Sequence, residues 1–282
     1  MKQKYFKLLI RFFALCLITT HLYAENNEST PANLIRIMPL GDSITYDYRL
    51  SDANDPRPTS MRTGYRSHLW YMLQNAGYNA DFVGSRIAGE GIIPPFDPDN
   101  EGHPGWTASE LAINTYDYMI NARPNIVLLH IGTNDTSPSI DGINAILNNI
   151  DFYERDSGQS VRVLIALPIG GKSAHEIKPF NDELEKLISQ RAINGDNITL
   201  VDMYRTAGLT SSDFIDSIHP NDTGYRKMAQ VWFNALMAPY TPALYTFPST
   251  IVPSNYVRTM YVSEETKSVT FTTEVPDTGL IF

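Results

Sequence analysis

Five short apolar segments alternate with helix-like segments along most of the chain, and this alternation restricts the fold more than any other feature of the sequence. The apolar segments have the length and the Val, Ile and Leu content of buried strands, and they cover residues 34–40, 80–83, 126–131, 161–167 and 198–201. The segments between them fit helices, and they cover residues 64–76, 108–122, 140–153, 176–188 and 222–237. Strands separated by helices form parallel sheets that are covered on both faces. The pattern therefore predicts a three-layer α/β domain around a five-stranded parallel sheet.

The length of the chain suits one main domain, because 282 residues, 43% of them hydrophobic, suffice for one core of ordinary size and a small appendage. We assign residues 34–238 to this domain. Within it, residues 88–105 form a long segment rich in Gly, Pro, Asp and Asn, and we expect it to line a functional site. Residues 239–282 are β-prone and indicate a tail or a partial module. Their apolar end at 279–282 fits either a fragment of a longer protein or a strand docked on the domain.

The first 24 residues have the composition of a cleavable signal peptide. Four basic residues precede or accompany an apolar run at 12–18, and the segment ends on Ala24. The alternative is a membrane anchor, which needs roughly 20 apolar residues, more than this run supplies. We therefore expect residues 1–24 to be removed, residues 25–33 to act as a linker, and the mature protein to be secreted or periplasmic.

Removal of the leader changes both the thiol content and the charge of the chain. The only cysteine, Cys16, lies in the leader, so the mature protein has no disulfide, cysteine nucleophile or thiolate metal site. Leu15 stands where a lipoprotein signal carries a small residue, which argues against lipid attachment. Loss of four basic residues moves the formal net charge from −9 to −13. An acidic chain of this kind disfavours nucleic acid and anionic membranes as partners, and we expect no stable membrane association.

Two polar motifs directly follow predicted strands. Residues 41–45 (GDSIT) place Ser43 at the carboxyl end of the first strand, and residues 132–135 (GTND) place Asn134 at the end of another. Open α/β sheets bind ligands at this edge, so Ser43 suits a nucleophile and the Asn134 amide suits a donor to an oxyanion. Taken alone, each motif is also common as a turn or a capping loop.

A third motif, residues 216–220 (DSIHP), stands just before the last predicted helix. The spacing of three residues lets the Asp216 carboxylate and the His219 imidazole meet within one turn. Such a contact would fix the tautomer of His219 and stabilise the imidazolium that forms when it accepts a serine proton. The alternative for this motif alone is a surface histidine in a helix-capping turn.

In their order along the chain, the three motifs resemble those of the GDSL, or SGNH, hydrolase family, and the resemblance covers about residues 34–237. It implies a flavodoxin-like sheet and a catalytic triad of Ser43, His219 and Asp216. It also implies that the reaction needs neither a metal nor another cofactor.

The same resemblance implies an oxyanion hole made by the backbone N–H groups of Ser43 and a glycine, together with the side chain of Asn134. The glycine is either Gly84, at the end of the second predicted strand, or Gly105. We prefer Gly105 because it directly precedes a predicted helix, where the N-terminus favours a developing negative charge.

Several neighbours of the motifs are candidates for substrate binding. Asp42 is one of them, although Asp42 and Asp135 also fit carboxylates that brace their loops. His103 and Trp106 could shape a sugar-binding surface, because flat aromatic rings stack on sugar faces, or they could pack in the core and anchor their loop. The remaining histidines of the predicted domain lack ligand spacing and predict no metal site; they are His68, His130 and His175.

A narrower resemblance concerns residues 82–85 and 101–106, which are similar to segments of secreted carbohydrate esterases, especially acetyl xylan esterases. It implies a secreted serine esterase that hydrolyses short-chain, above all acetyl, esters of a carbohydrate through an acyl-serine intermediate. A lipase or lysophospholipase of the same family is one alternative. An inactive glycan-binding module, for which the β-prone tail gives slight support, is another.

Two glycosylation acceptor patterns, which begin at Asn134 and Asn221, lie in or beside the predicted site. A glycan on Asn134 would block the site. This arrangement favours a bacterial exported protein over a product of a glycosylating secretory pathway.

Overall fold

A computed structural model of the protein describes residues 34–135, 137–171 and 177–239. The predicted signal peptide (1–24), the linker (25–33) and all but the first residue of the predicted tail lie outside the described residues. So do His175 and the predicted start of the fourth helix at Glu176.

The described chain contains seven strands and seven α-helices. The strands are β1 (Ile35–Gly41), β2 (Ala80–Phe82), β3 (Arg86–Ile87), β4 (Asp99–Gly102), β5 (Ile126–His130), β6 (Arg162–Ala166) and β7 (Ile198–Val201). The helices are α1 (Ser43–Tyr46), α2 (Gly64–Asn75), α3 (Ala108–Ala122), α4 (Asp141–Ser157), α5 (Lys178–Ile193), α6 (Met203–Thr206) and α7 (Asp222–Met237). Among the described residues, no helix is both long enough and apolar enough to cross a membrane.

The sheet confirms the predicted α/β architecture and adds two strands to it. The five predicted strands are parallel in the order β2, β1, β5, β6, β7, which is the flavodoxin-like order. The additional strand β4 pairs in parallel with the carboxyl end of β1, and β3 pairs with β4 in antiparallel orientation. Both lie in the segment that connects β2 to α3, where the sequence predicts a loop for residues 88–105.

Apolar side chains from both faces of the sheet are buried, which gives the three layers. One face packs against α3, α4 and α5 through residues such as Met38, Val127 and Leu129. The other packs against α2 and α7 through residues such as Ile37 and Leu128. Successive strand side chains point to opposite faces, so a strand buried on both sides is apolar throughout, as the sequence of β5 is.

Gly41 brings the carboxyl ends of three strands together. It pairs with His130 at the end of β5 on one side and with Gly102 at the end of β4 on the other. A Cβ at position 41 would lie 2.2 Å from the carbonyl oxygen of His130, so this approach requires glycine. The polar residues that follow these strands therefore meet at one edge of the sheet, next to the point where the strand order reverses.

Candidate active site

Ser43 is the first residue of the short helix α1, directly after β1. Asp42 caps this helix, since its side chain accepts a hydrogen bond from the Ile44 N–H at 2.9 Å. The next turn closes where the Asp47 N–H donates to the carbonyl of Ser43, with Asp47 in the left-handed conformation at φ 66°. Both ends of α1 are thus fixed, and the Ser43 hydroxyl is held at the carboxyl edge of the sheet.

His219 and Asp216 occupy one tight turn before α7. The turn is closed by an isolated bridge between Phe214 and Pro220 and by a 2.9 Å hydrogen bond from the Ile215 N–H to the carbonyl of His219. Asn221 then caps α7 by accepting from the Gly224 N–H at 3.1 Å. The sequence predicts this helix start, and the cap fixes where the histidine side chain leaves the backbone.

The three residues form one chain of hydrogen bonds. His219 Nε2 lies 2.9 Å from Ser43 Oγ, although the two residues are 176 positions apart in the sequence. His219 Nδ1 lies 2.9 Å from Asp216 Oδ2 and 3.1 Å from Oδ1. Because an ionised carboxylate only accepts, Nδ1 carries the proton and Nε2 is free to accept the hydrogen of the Ser43 hydroxyl. Ser43 and His219 are only 4% and 3% exposed, so bulk water competes little for this bond.

Asp216 is held as an anion. Burial acts to raise its pKa, but hydrogen bonds from the backbone N–H groups of His219, Leu50 and Ile218 outweigh burial and lower the pKa to about 2. The carboxylate therefore stays ionised at any pH near neutral, which keeps the Nδ1–H tautomer of His219 favoured.

Asn134 contacts the loop that contains Gly105. Its side-chain amide donates to the carbonyl of Trp106 at 2.9 Å. The neighbouring Asp135 accepts from the N–H of Ala108, the first residue of α3, at 3.1 Å. These two contacts join the loop after β5 to the loop before α3, so Asn134 lies against the Trp106–Thr107 peptide, one residue beyond Gly105.

The two candidate glycines occupy different surroundings. Gly84 is packed against β4, where an added Cβ would lie 2.2 Å from the carbonyl of Asn100. Gly105 is exposed, has a left-handed φ of 83° and has open space where a Cβ would stand. Of the two, only Gly105 belongs to the loop that Asn134 contacts, and this placement favours Gly105 as the oxyanion donor.

Most of the described sequence matches the model of a known hydrolase family. Residues 40–227 match the GDSL-like Lipase/Acylhydrolase family. The chain belongs to this family. A multidomain esterase from Ruminococcus flavefaciens is 30% identical to it over 237 residues, which are 74% of this chain and 29% of that relative. The chain therefore spans less than a third of the relative's length.

Solved structures of GDSL-type esterases have the same fold. A family 3 carbohydrate esterase from Clostridium thermocellum is 27% identical, with a TM-score of 0.60 over 71% of this chain and 94% of that one. One from Talaromyces cellulolyticus is 27% identical, with a TM-score of 0.59 over 72% and 96%. An acetyl esterase variant solved with an acetate ion is 26% identical, with a TM-score of 0.58 over 72% and 96%. These likenesses confirm the predicted fold and support an esterase or acylhydrolase.

In this GDSL family member, Asp42 braces the loop that carries Ser43 from the inside. The side chain is fully buried, and burial raises the pKa of its carboxyl to about 7. One oxygen accepts from the Ile44 N–H, and the Thr133 hydroxyl lies near the carboxyl group from the loop after β5. This position supports the loop-bracing alternative for Asp42 over contact with substrate.

His103 is likewise enclosed. Its ring stacks between Trp106, at a centroid distance of 4.1 Å, and Tyr118, at 5.2 Å, while Nε2 lies 2.7 Å from the buried Glu101 carboxylate. The ring therefore has no free face for a sugar, and its position supports the loop-anchoring alternative. Trp106 is partly exposed, with one face of its ring covered by His103.

Only the second half of the segment 88–105 lies at the site. Residues 99–102 form β4 beside β1, and residues 103–105 follow at the carboxyl edge. The first half is fastened by Arg66, a fully buried residue of α2 whose pKa is lowered to about 10 by burial. Its guanidinium donates to four backbone carbonyls, those of Thr45, Arg62, Ala88 and Pro98.

Among the described residues, His68 and His130 form no hydrogen bond with the side chains of Ser43, His219 or Asp216. His68 pairs with Asp222 at 2.9 Å, and His130 is fully buried at the end of β5, where burial lowers its pKa to about 4. Within residues 34–135, 137–171 and 177–239, no three His, Cys, Asp or Glu side chains are grouped so that they could hold a metal ion.

Sequence reasoning missed the loop that supports Asp216. Residues 47–63 connect α1 to α2, and Leu50 in this loop donates its N–H to Asp216 Oδ2 at 3.0 Å. The loop contains two buried carboxylates, Asp47 and Asp52, that are paired with arginines. The high density of Asp and Arg between residues 47 and 62 could have indicated buried ion pairs in this loop. A charged loop, however, is more often exposed to solvent, so the sequence alone does not predict the support of Asp216.

Proposed function

We propose that this chain is a secreted serine esterase that hydrolyses short-chain, above all acetyl, esters on carbohydrates. The observation that carries the proposal is the continuous hydrogen-bonded chain from Ser43 through His219 to Asp216, with Asn134 and Gly105 in neighbouring loops at the same edge of the sheet. This set of groups supplies a nucleophile, a base, an orienting carboxylate and donors for an oxyanion.

Acylation begins when Ser43 Oγ attacks the ester carbonyl carbon and its proton passes to His219 Nε2. Asp216 stabilises the resulting imidazolium. The carbonyl oxygen becomes an oxyanion, which accepts hydrogen bonds from the N–H groups of Ser43 and Gly105 and from the Asn134 amide. The tetrahedral intermediate then collapses, the ester C–O bond breaks, and His219 returns the proton to the departing sugar oxygen.

Deacylation repeats these steps with water in place of the sugar. His219 accepts a proton from the water as its oxygen attacks the acyl-serine carbonyl, and the same donors hold the second oxyanion. Collapse breaks the bond to Ser43 Oγ, which recovers its proton from His219, and the carboxylic acid leaves. The balance of the cycle is one ester and one water converted into one acid and one alcohol.

The acetyl and carbohydrate parts of the proposal rest on the comparisons and on charge. Two of the structural relatives are family 3 carbohydrate esterases, and a third is an acetyl esterase solved with acetate. A net charge of −9, or −13 without the predicted leader, suits a neutral polymer better than an anionic lipid surface. Secretion rests on the leader-like composition of residues 1–24.

The deciding experiment is a panel of aryl esters with acyl chains from acetyl to long-chain, run beside acetylated xylan. We expect the highest kcat/KM for acetate and serine-dependent release of acetate from xylan. A long-chain optimum would contradict the proposal in favour of a lipase. Binding to glycans without hydrolysis of any ester would contradict it in favour of a binding module.

The oxyanion role of Asn134 gives a separate prediction. Asn134→Ala should lower kcat for an acetyl ester by about 10²- to 10³-fold, because one preorganised donor to the developing charge is lost. The matched control is Asn149→Ala, since the Asn149 amide also donates to a backbone carbonyl, that of Ala112 at 2.8 Å. Equal, small losses in kcat for both variants would show that Asn134 only braces its loop.

A further inference from the structure

The carboxylate of Asp216 receives support from two parts of the chain. Two of its backbone donors, Ile218 and His219, belong to its own turn. The third is the N–H of Leu50, 166 residues away, which lies 3.0 Å from Oδ2. Oδ2 is also the oxygen closer to His219 Nδ1. The Leu50 N–H therefore helps to fix the position of the same carboxylate oxygen that orients His219.

Leu50 cannot hold that position by its own side chain, which is 49% exposed. It begins a short 3-10 turn, Leu50–Ala53, and Asp52 closes the turn by accepting from the Arg49 N–H at 2.9 Å. The Asp52 side chain is in turn held by Arg57, whose Nε and Nη2 lie 3.0 and 2.9 Å from its two oxygens. Arg62 Nη1 is farther from the same carboxylate, at 3.5 Å, so the bidentate pair with Arg57 is the closest ion pair that fixes the turn presenting the Leu50 N–H.

Arg57 also reaches the end of the nucleophile helix. Its Nη2 donates to the backbone carbonyl of Asp47 at 2.7 Å, and its guanidinium contacts both Asp47 side-chain oxygens, at 3.2 and 3.3 Å. Asp47 is the residue whose N–H caps α1 on the carbonyl of Ser43. A single guanidinium therefore connects the helix that carries Ser43 to the turn that supports Asp216.

We propose that Arg57 is a positioning residue that fixes the Leu50 N–H against Asp216 and thereby sets the orientation of His219 toward Ser43. The proposal rests on the proposed esterase function, because it concerns the same triad. Arg57 itself touches none of the three triad side chains in the contacts described above. Its effect on turnover is therefore transmitted through the Leu50 backbone and the Asp216 carboxylate.

The test is a double-mutant cycle between Arg57→Met and Asp216→Ala, followed with an activated acetyl ester. In the wild-type background, Arg57→Met should lower kcat by about tenfold and leave KM within about twofold, because orientation rather than ground-state binding is lost. In the Asp216→Ala background, the same change should alter the residual kcat by less than about twofold, because the group that Arg57 acts on is gone. Arg57→Lys should recover little of the loss, since an ammonium lacks the planar fork.

The matched control is Arg191→Met. Arg191 also makes several side-chain bonds, to Asn144, Asn148, Asp151 and Asp196, but it lies at the end of α5, near the start of β7 and thus at the opposite edge of the sheet. We expect Arg191→Met to lower Tm and to leave kcat/KM near that of the wild type. Equal losses of kcat for Arg57→Met in both backgrounds would overturn the proposal, and so would an unchanged kcat in the wild-type background.

A second variant tests the donor itself if Arg57→Met does not fold. Leu50→Pro removes the N–H group that donates to Asp216 and replaces a side chain that is 49% exposed, and Arg49, at φ −119° and ψ 158°, already has the backbone conformation that precedes proline. It should lower kcat by about tenfold in the wild-type background and by less than about twofold in Asp216→Ala. A wild-type enzyme that hydrolyses no ester would refute the esterase function, whereas an active wild type with additive losses would refute only the role of Arg57.

Discussion

Replacing Ser43 with alanine is expected to lower kcat for an activated acetyl ester by about six orders of magnitude, because the acyl-enzyme route is lost and only binding and the oxyanion donors remain. The fold should survive, since the one side-chain partner of the Ser43 hydroxyl among the described residues is His219 Nε2. The measurement is single-turnover and steady-state hydrolysis, with Tm recorded for the same preparation.

Two further variants make this result interpretable. Thr45→Ala removes another hydroxyl from the same short helix, one that contacts the Tyr65 hydroxyl at 3.2 Å rather than the histidine, and it should retain most of the activity. Ser43→Ala combined with His219→Ala should be no slower than Ser43→Ala alone, because groups that act as a unit are not additive. Substantial hydrolysis by Ser43→Ala would mean that another group is the nucleophile.

Replacing Asp216 with asparagine should lower kcat by about 10⁴-fold without unfolding the protein. The asparagine has one acceptor oxygen where the carboxylate has two, and Oδ1 of Asp216 accepts from the backbone of both Ile218 and His219. If the amide oxygen takes that side, the NH₂ group faces His219 Nδ1 and donates to it. The imidazole then carries its proton on Nε2, which cannot accept the proton of Ser43.

The control for this substitution is Asp213→Asn, three residues earlier in the same loop. The Asp213 carboxylate is also a multiple acceptor, bonded to Lys227 at 2.8 Å and to the Thr210 N–H at 2.7 Å, and these bonds lower its pKa. Within the part of the chain that the structure describes, this carboxylate forms no hydrogen bond with Ser43, His219 or Asp216, so its loss should reduce Tm and leave kcat within about threefold. Equal effects of the two substitutions on kcat would argue that Asp216 acts through folding alone.

The sequence predicts the triad because each of its parts is marked by a neighbouring regular element. Ser43 and Asn134 follow apolar strands, and in a parallel sheet all such strand ends face one edge. His219 precedes a helix whose start is marked by Pro220 and Asn221. Two helices, however, extend beyond their predicted ends at residues 153 and 188. The helix α4, for example, runs four residues beyond its predicted end, to Ser157, and stops at Gly158 in the left-handed conformation.

The parts that sequence reasoning missed depend on contacts between distant segments. Strand β4 has the sequence DNEG, which has no apolar alternation, and it is buried because Asn100 and Glu101 find partners in Pro98, Gly102 and Ser85. Leu50 supports Asp216 through its backbone N–H, and this hydrogen bond does not depend on the Leu50 side chain. Local sequence patterns predict neither the side-chain bonds that bury β4 nor the bond from Leu50 to Asp216. Both contacts are seen only in the three-dimensional structure.

The distance in sequence between Ser43 and His219 has a consequence for the order in which activity appears. Ser43, the proposed nucleophile, is synthesised before His219, its proposed base, which comes 176 positions later and shortly before the last described helix. A chain that emerges from the ribosome therefore carries the proposed nucleophile before its proton acceptor has been made. If Ser43 and His219 act as proposed, hydrolysis begins only after α7 has docked against α2, and the first turnover of a pulse-labelled chain would mark the end of folding.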